Sequence, residues 1–146
     1  MLMVRADKDA DCGQLALRAQ RSTPHPWSAA NYFSSREAGH RIYLLQDGDS
    51  LIAHAVVQCV GDEAELLDII VEAGHQGRGC GRYFLGQLMS GLAAEGFSRL
   101  LLEVRASNTR ARHLYTTAGL VECGSRRDYY PCAGGREPAI LMEAAL

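Results

Sequence analysis

"VEAGHQGRGCGRYFLGQLMSGL", residues Val71 to Leu92, decides how the chain is built. A strand-like apolar run ends at Val71, glycines follow at Gly77, Gly79 and Gly81 with Arg78 and Arg82 among them, and Phe84, Leu85, Leu88, Met89 and Leu92 then recur at helical spacing. In the order strand, glycine-rich turn, helix, the first helical turn keeps free backbone N–H groups and points the positive end of its dipole at the loop. That is an anion site. Glycine lets a phosphate approach the main chain, the arginines add charged hydrogen bonds, and a pyrophosphate is the natural occupant. The plainer reading is a tight turn in which glycine only satisfies backbone geometry. G-x-x-x-x-G-K-[ST] is absent, and the spacing is not the G-x-G-x-x-G of a parallel dinucleotide-binding unit.

Upstream, "MLMVRA" reads as a first strand, "DCGQLALRAQR" as a helix, and "STPHPWS" as a break before a second helix that begins near Ser28 and stops at Gly39. "RIYLLQ", the turn "DGDS" and "LIAHAVVQCV" predict a hairpin, and "AELLDIIV" adds a third strand to an antiparallel meander. Downstream, Gly96 ends the helix, and "FSRLLLEV" is a buried-type strand predicted to lie parallel to "AELLDIIV". In "SNTRARHLYTTAGL", Ser107 or Asn108 caps a helix whose inner face carries Ala111, Leu114, Tyr115 and Ala118, and Gly119 closes it. "LVECGSRRDYY" and "EPAILMEAAL" are final strands around a turn-rich "PCAGGR".

With 146 residues and no repeat or linker, the chain is expected to form one domain over residues 1–146. Its 15 basic and 17 acidic side chains give a net charge of -2, which speaks against a general cationic field and a direct nucleic-acid partner. The five cysteines, Cys12, Cys59, Cys80, Cys123 and Cys132, are odd in number, scattered and without a C-x-x-C pair, as expected of reduced thiols in a cytosolic protein. "MLMVRADKDADCGQ" carries charges where a signal peptide needs an apolar core, and the apolar runs are too short to span a bilayer, so a cytoplasmic protein with no membrane partner is expected.

"QGRGCG", Gln76 to Gly81, resembles the Q/R-x-x-G-x-G/A motif of the GNAT acetyltransferases, whose loop binds the pyrophosphate of coenzyme A. "LEVRASNTRARHLYTTAGL", "RRDYYP", "GREPAILM" and "HPWS" are similar to the RimI-type members, which modify the N-terminal alanine of a small-subunit ribosomal protein, and the likeness is tightest from Leu66 to Met142. The resemblance implies an α/β (α+β) fold: a mixed, twisted sheet of about seven strands, helices on both faces, and a splay between strands 4 and 5 that admits acetyl-CoA. It further implies that Ile69, Ile70 and Val71 offer backbone groups to the pantetheine arm. Gly77, Arg78, Gly79, Cys80, Gly81 and Arg82 would take the pyrophosphate, and Asn108 would reach the arm from the following helix. Small departures stand beside it: Ala73 where proline is common, Gly77 and Arg78 inside the loop, and Leu120 for a frequent aromatic.

Acetyl transfer to an amine needs a neutral nucleophile, a stabilised oxyanion and a proton for the leaving thiolate. Glu103 and Tyr115 match the family's general base and general acid. From the residues alone, Glu103 is a carboxylate in an apolar strand that either faces a polar cleft or pairs with Arg105 or another cation, and Tyr115 also fits an ordinary core tyrosine. Cys80 is read as a small residue filling the turn. An α-amino group, with a pKa of about 7.7–8.0, gives up its proton at neutral pH for about 1–1.4 kcal/mol, against roughly 4.6 kcal/mol for lysine. No metal is required, and His25, His40, His54, His75 and His113 are expected at surface or turn positions.

For an acceptor peptide, "RRDYYP" with Tyr129 and Tyr130, and the segment around Trp27, are the expected groove walls. Asp62, Glu63, Glu65, Asp68 and Glu72 either attract a basic N-terminal segment or form a solvated face. The leading expectation is an acetyl-CoA-dependent enzyme acting on a ribosomal-protein N-terminus. Enzymes of the same fold acting on other protein N-termini, lysines or small amines, and a non-catalytic acyl-CoA sensor, are the alternatives.

Overall fold

A computed structural model describes every residue from Met1 to Leu146. The chain runs β1 (Leu2–Ala6), α1 (Cys12–Ser22), α2 (Ala29–Glu37), β2 (Arg41–Asp47), β3 (Ser50–Val60), β4 (Glu63–Val71), a single 3-10 turn (Ala73–His75), α3 (Cys80–Ala94), β5 (Arg99–Arg105), α4 (Thr109–Thr117), β6 (Val121–Cys132) and β7 (Gly135–Ala145). Local chemistry sets the helix starts. Asp11 accepts from the Gln14 N–H ahead of α1, Ser28 and Asn31 form a reciprocal capping box on α2, and Asn108 accepts from the Ala111 N–H on α4.

The strands form one seven-stranded sheet in the order β1-β2-β3-β4-β5-β7-β6. β1 to β4 are antiparallel neighbours, and the crossover through α3 makes β4 and β5 parallel, as expected of a strand-helix-strand unit. That parallel pairing covers only Glu63↔Arg99 to Leu66↔Leu102. Beyond it β4 continues to Val71 on β3 and β5 continues to Arg105 on β7, so the sheet forks. A bulge sits at the crotch: Val57 opposes Leu66 and Val56 opposes Asp68, which leaves Leu67 as the extra residue.

Each face of the sheet carries a core. The larger lies under α3 and α4, where Phe84, Leu85, Leu88 and Leu92 of α3 meet Ala53, Ala55, Leu66, Leu100 and Leu102. Burying each such large side chain is worth about 1.5–3 kcal/mol. The smaller lies under α1 and α2, built from Leu15, Ala19, Tyr32, Ile42, Val56 and Ile70.

Two local expectations are corrected. "PCAGGR" is mostly strand, because β6 and β7 pair as far as Cys132↔Gly135 and leave only Ala133 and Gly134 to turn. His54 is neither at the surface nor in a turn: it sits in the middle of β3 and is 1% exposed. The five cysteines are unpaired, and no helix is long and apolar enough to cross a membrane.

Candidate active site

The glycine-rich loop leaves β4 through the 3-10 turn and enters α3 with Gly77 (φ 76°) and Gly79 (φ 82°) in the left-handed region, where a side chain is strained. Gly79 is the N-cap of α3 and no side chain satisfies that helix end. The first bond of the helical ladder runs from the Tyr83 N–H to the Gly79 carbonyl at 3.0 Å, so the N–H groups of Cys80, Gly81 and Arg82 have no partner in the helix. The glycines divide the work. A Cβ on Gly81 would stand 3.4 Å from both Leu114 and Val71, so this glycine lets α3 close onto α4 and β4.

Gln76 fixes the loop: its amide nitrogen donates to the carbonyls of Val71 (2.9 Å) and Ser22 (3.0 Å), and its oxygen accepts from Arg110 at 2.9 Å. Sequence reasoning quoted Gln76 as part of the motif but missed this tie. Arg110 thereby joins Arg78 and Arg82 as a third cation beside the turn.

Within the fork, Ile69 and Val71 face the larger core and Ile70 the smaller, while the β4 backbone beyond Leu66 is unpaired on its β5 side. Asn108 stands at the start of α4 with its Oδ1 engaged by the Ala111 N–H at 3.1 Å. Its amide nitrogen has no partner in the protein.

Glu103 is the first residue of β5 past the last β4 pair. Leu102 and Val104 are buried under α3 and α4, so alternation sends the Glu103 side chain to the opposite face of the sheet. There Arg126 of β6 meets it at 3.1 Å. Arg105 goes elsewhere, lying 3.4 Å from Glu137 and 4.6 Å over the Tyr130 ring. Tyr129 and Tyr130 meet edge to face at 4.9 Å, Arg126 lies 5.3 Å over Tyr129, and β6 bulges here, with Asp128 at φ 49°. Glu65 shares this face, and burial followed by the charge of Glu103 holds its pKa above the ordinary carboxylate value. The same two causes raise the Tyr130 phenol.

Tyr115 enters from the other side of the sheet, buried within the larger core. Burial, then the charges of Asp68 and Tyr130, raise its pKa well above that of a free tyrosine, so it stays a protonated phenol. Of the acidic run, Glu63 pairs with Arg99, Glu72 with Arg18 and Arg21, and Asp62 accepts from Ser98. Glu65 and Asp68 have no arginine partner.

The largest feature missed in the sequence joins three elements. Tyr32 of α2 donates to Asp68 Oδ2 at 2.5 Å and lies 2.8 Å from His54 Nε2, beneath Trp27. Its signal was a histidine in "LIAHAVVQCV" and an aspartate in "AELLDIIV", polar residues in otherwise buried strands.

The architecture and the loop have relatives. A model of the "Acetyltransferase (GNAT) family" matches residues 11–120, most of the chain and all of the fork and anion loop. This chain belongs to the GNAT family. Among its GNAT relatives, a [ribosomal protein bS18]-alanine N-acetyltransferase of Salmonella typhimurium is 42% identical over 84% of this chain and 83% of its own. The crystal structure of the ribosomal-protein-S18-alanine N-acetyltransferase from Escherichia coli superimposes with a TM-score of 0.91 at 35% identity, covering 99% of this chain and 94% of that one. A Bacillus subtilis acetyltransferase in complex with CoA shares the GNAT fold at a TM-score of 0.82 and 13% identity, over 100% and 99% of the two chains. The GNAT model stops before β6, so the hairpin that brings Arg126, Tyr129 and Tyr130 to Glu103 lies outside the matched stretch.

Proposed function

We propose that this GNAT acetyltransferase moves the acetyl group of acetyl-CoA to the α-amine of an N-terminal alanine on a small-subunit ribosomal protein, in the cytoplasm where that protein is made. The observation that carries the reading is the fork, with a carboxylate at its base on one face and a protonated phenol entering from the other. The names of the relatives at 42% and 35% identity support the acceptor.

The pyrophosphate sits on the free N–H groups of Cys80, Gly81 and Arg82, with Gly77 and Gly79 shaping the turn and Arg78 and Arg82 supplying charge. The arm runs along Ile69, Ile70 and Val71, whose unpaired edge offers main-chain groups, and the amide nitrogen of Asn108 reaches it from α4. A backbone N–H near Val71 receives the oxyanion.

Glu103 takes a proton from the acceptor ammonium, directly or through water. The freed nitrogen lone pair attacks the thioester carbon, the C–N bond forms, and the carbonyl oxygen becomes the oxyanion. As the carbonyl re-forms, the C–S bond breaks and Tyr115 gives its phenolic proton to the departing thiolate. The nitrogen, which keeps two protons when the C–N bond forms, gives one to solvent as the amide forms. Solvent also receives the proton held on Glu103 and reprotonates Tyr115, for a net release of one proton per acetyl group. Arg126, with 55% of its side chain exposed, has room to leave Glu103 as the peptide arrives.

The test is mass spectrometry of acetyl transfer to two matched basic hexapeptides, one with a free N-terminal alanine and one blocked there with an internal lysine. Acetylation confined to the free alanine, and lost in Glu103→Gln, is expected. Modification of the lysine alone would overturn the acceptor, and no transfer to either would point to small amines or to an acyl-CoA sensor.

A further inference from the structure

The Tyr32, His54 and Asp68 cluster is more than this corner of the fold needs. Tyr32 and His54 are buried under α1 and α2, and apolar side chains would fill the same space without the cost of removing three polar groups from water. The hydrogens have a single consistent arrangement with Asp68 as a carboxylate. Tyr32 spends its one O–H on Asp68 Oδ2 at 2.5 Å, so it must accept from His54, which donates through Nε2 at 2.8 Å. His54 Nδ1 is then left buried without a partner. The relay ends on one oxygen of Asp68. The other, Oδ1, has no partner in the protein and reaches solvent.

Its place gives that free oxygen a use. Asp68 follows the bulge two residues beyond the last β4 pair, and Glu103 is one residue beyond it on β5, so the two carboxylates flank the fork from its two arms on the α1/α2 face. The charge of Asp68 also reaches Tyr115, which enters from the opposite face.

We infer that Asp68 is the positioning residue for the acceptor's α-amino group: Oδ1 accepts one ammonium N–H, while Tyr32 and His54 hold the carboxylate in place. A second N–H then faces Glu103; once that proton has gone, rotation about the Cα–N bond turns the lone pair to the thioester while another N–H keeps the bond to Asp68. The inference rests on the N-terminal acceptor proposed above.

The experiment compares the alanine hexapeptide with its des-amino analogue, in which a propionyl group replaces alanine, in wild type, Asp68→Asn and Tyr32→Phe. In Asp68→Asn the peptide KM should rise about tenfold, as expected for a lost charge-assisted hydrogen bond. The inhibition constant of the des-amino analogue and the calorimetric Kd of acetyl-CoA should stay within about twofold. Tyr32→Phe keeps the ring and removes the clamp, so a smaller rise of about threefold should again spare the analogue. A variant that weakens peptide and analogue equally has merely damaged the groove, and that result, like an unchanged peptide KM, would overturn the inference while leaving the function standing. If wild type acetylates no free N-terminus, the proposed function falls and the inference with it.

Discussion

The two faces of the fork are made by different means. On the α3/α4 side, the proposed anion loop is one short stretch of chain with free main-chain N–H groups, left-handed glycines and one glutamine that ties it to Ser22 and Arg110. On the α1/α2 side, Glu103, Arg126, Glu65, Asp68, Tyr32 and His54 come from five elements and work through side chains. Under the proposed function, the cosubstrate is met by backbone, whose geometry depends on where glycine stands, and the acceptor by side chains, which substitution can alter without disturbing the loop.

This division can be broken by variants that should affect one partner and not the other. Glu103→Gln removes the proposed base and should lower kcat by about 10²–10⁴-fold with acetyl-CoA affinity unchanged. The deficit should narrow as pH rises past about 8, because the free amine then forms unaided. A deficit that stays constant up to high pH would remove Glu103 from the proton transfer. Tyr115→Phe should lower kcat by roughly tenfold, toward the weak end of acid catalysis, because a thiolate leaves with less help than an alkoxide. An undiminished single-turnover rate would return Tyr115 to a packing role.

Gln76→Ala probes the loop alone. It strips the ties to Val71, Ser22 and Arg110, and calorimetry should show acetyl-CoA binding weakened by about tenfold with the peptide KM unmoved. Equal losses for both partners would mean the faces are coupled. The smallest effect concerns Glu65. Its folded-state pKa is raised by burial and then by Glu103, so the native state holds that proton more tightly than the unfolded chain, and stability falls as pH rises through the interval between the two values. Glu65→Gln should therefore raise Tm by about a degree at neutral pH and leave it unchanged below about pH 4. The same gain at both pH values would trace it to packing.

The contrast also explains what could be read in the chain. The β2–β4 meander, the parallel β4–β5 pair, the α3 face, the start of α2 near Ser28 and the glycine turn ahead of α3, though not the insertion of β7 between β5 and β6, follow from periodicity and turn residues, which act over a few residues. The partner of Glu103 did not: Arg105 lies two residues away on the same face, yet Glu137 and Tyr130 claim it, and the cation that arrives is Arg126 from a strand beyond α4. Spacing likewise gave no hint that Gly81 serves packing and Gly77 and Gly79 serve backbone conformation, since all three look alike in "GRGCG". Nor did it bring Tyr32 to His54, which lie on different elements and meet only when α2 settles on the sheet.

The extra residue at Leu67 carries a further consequence. Before it, even-numbered positions of β4, Ala64 and Leu66, enter the core beneath α3; after it, the odd-numbered Ile69 and Val71 do. Counting straight through would have put Asp68 in that apolar layer. Straightening β4 with Leu67 kept would drive that carboxylate under α3, whereas losing Leu67 itself would give a strict alternation with Asp68, Ile69 and Val71 still on their present faces. The bulge thus sets the reading frame of β4, and with it which side of the protein receives the charge.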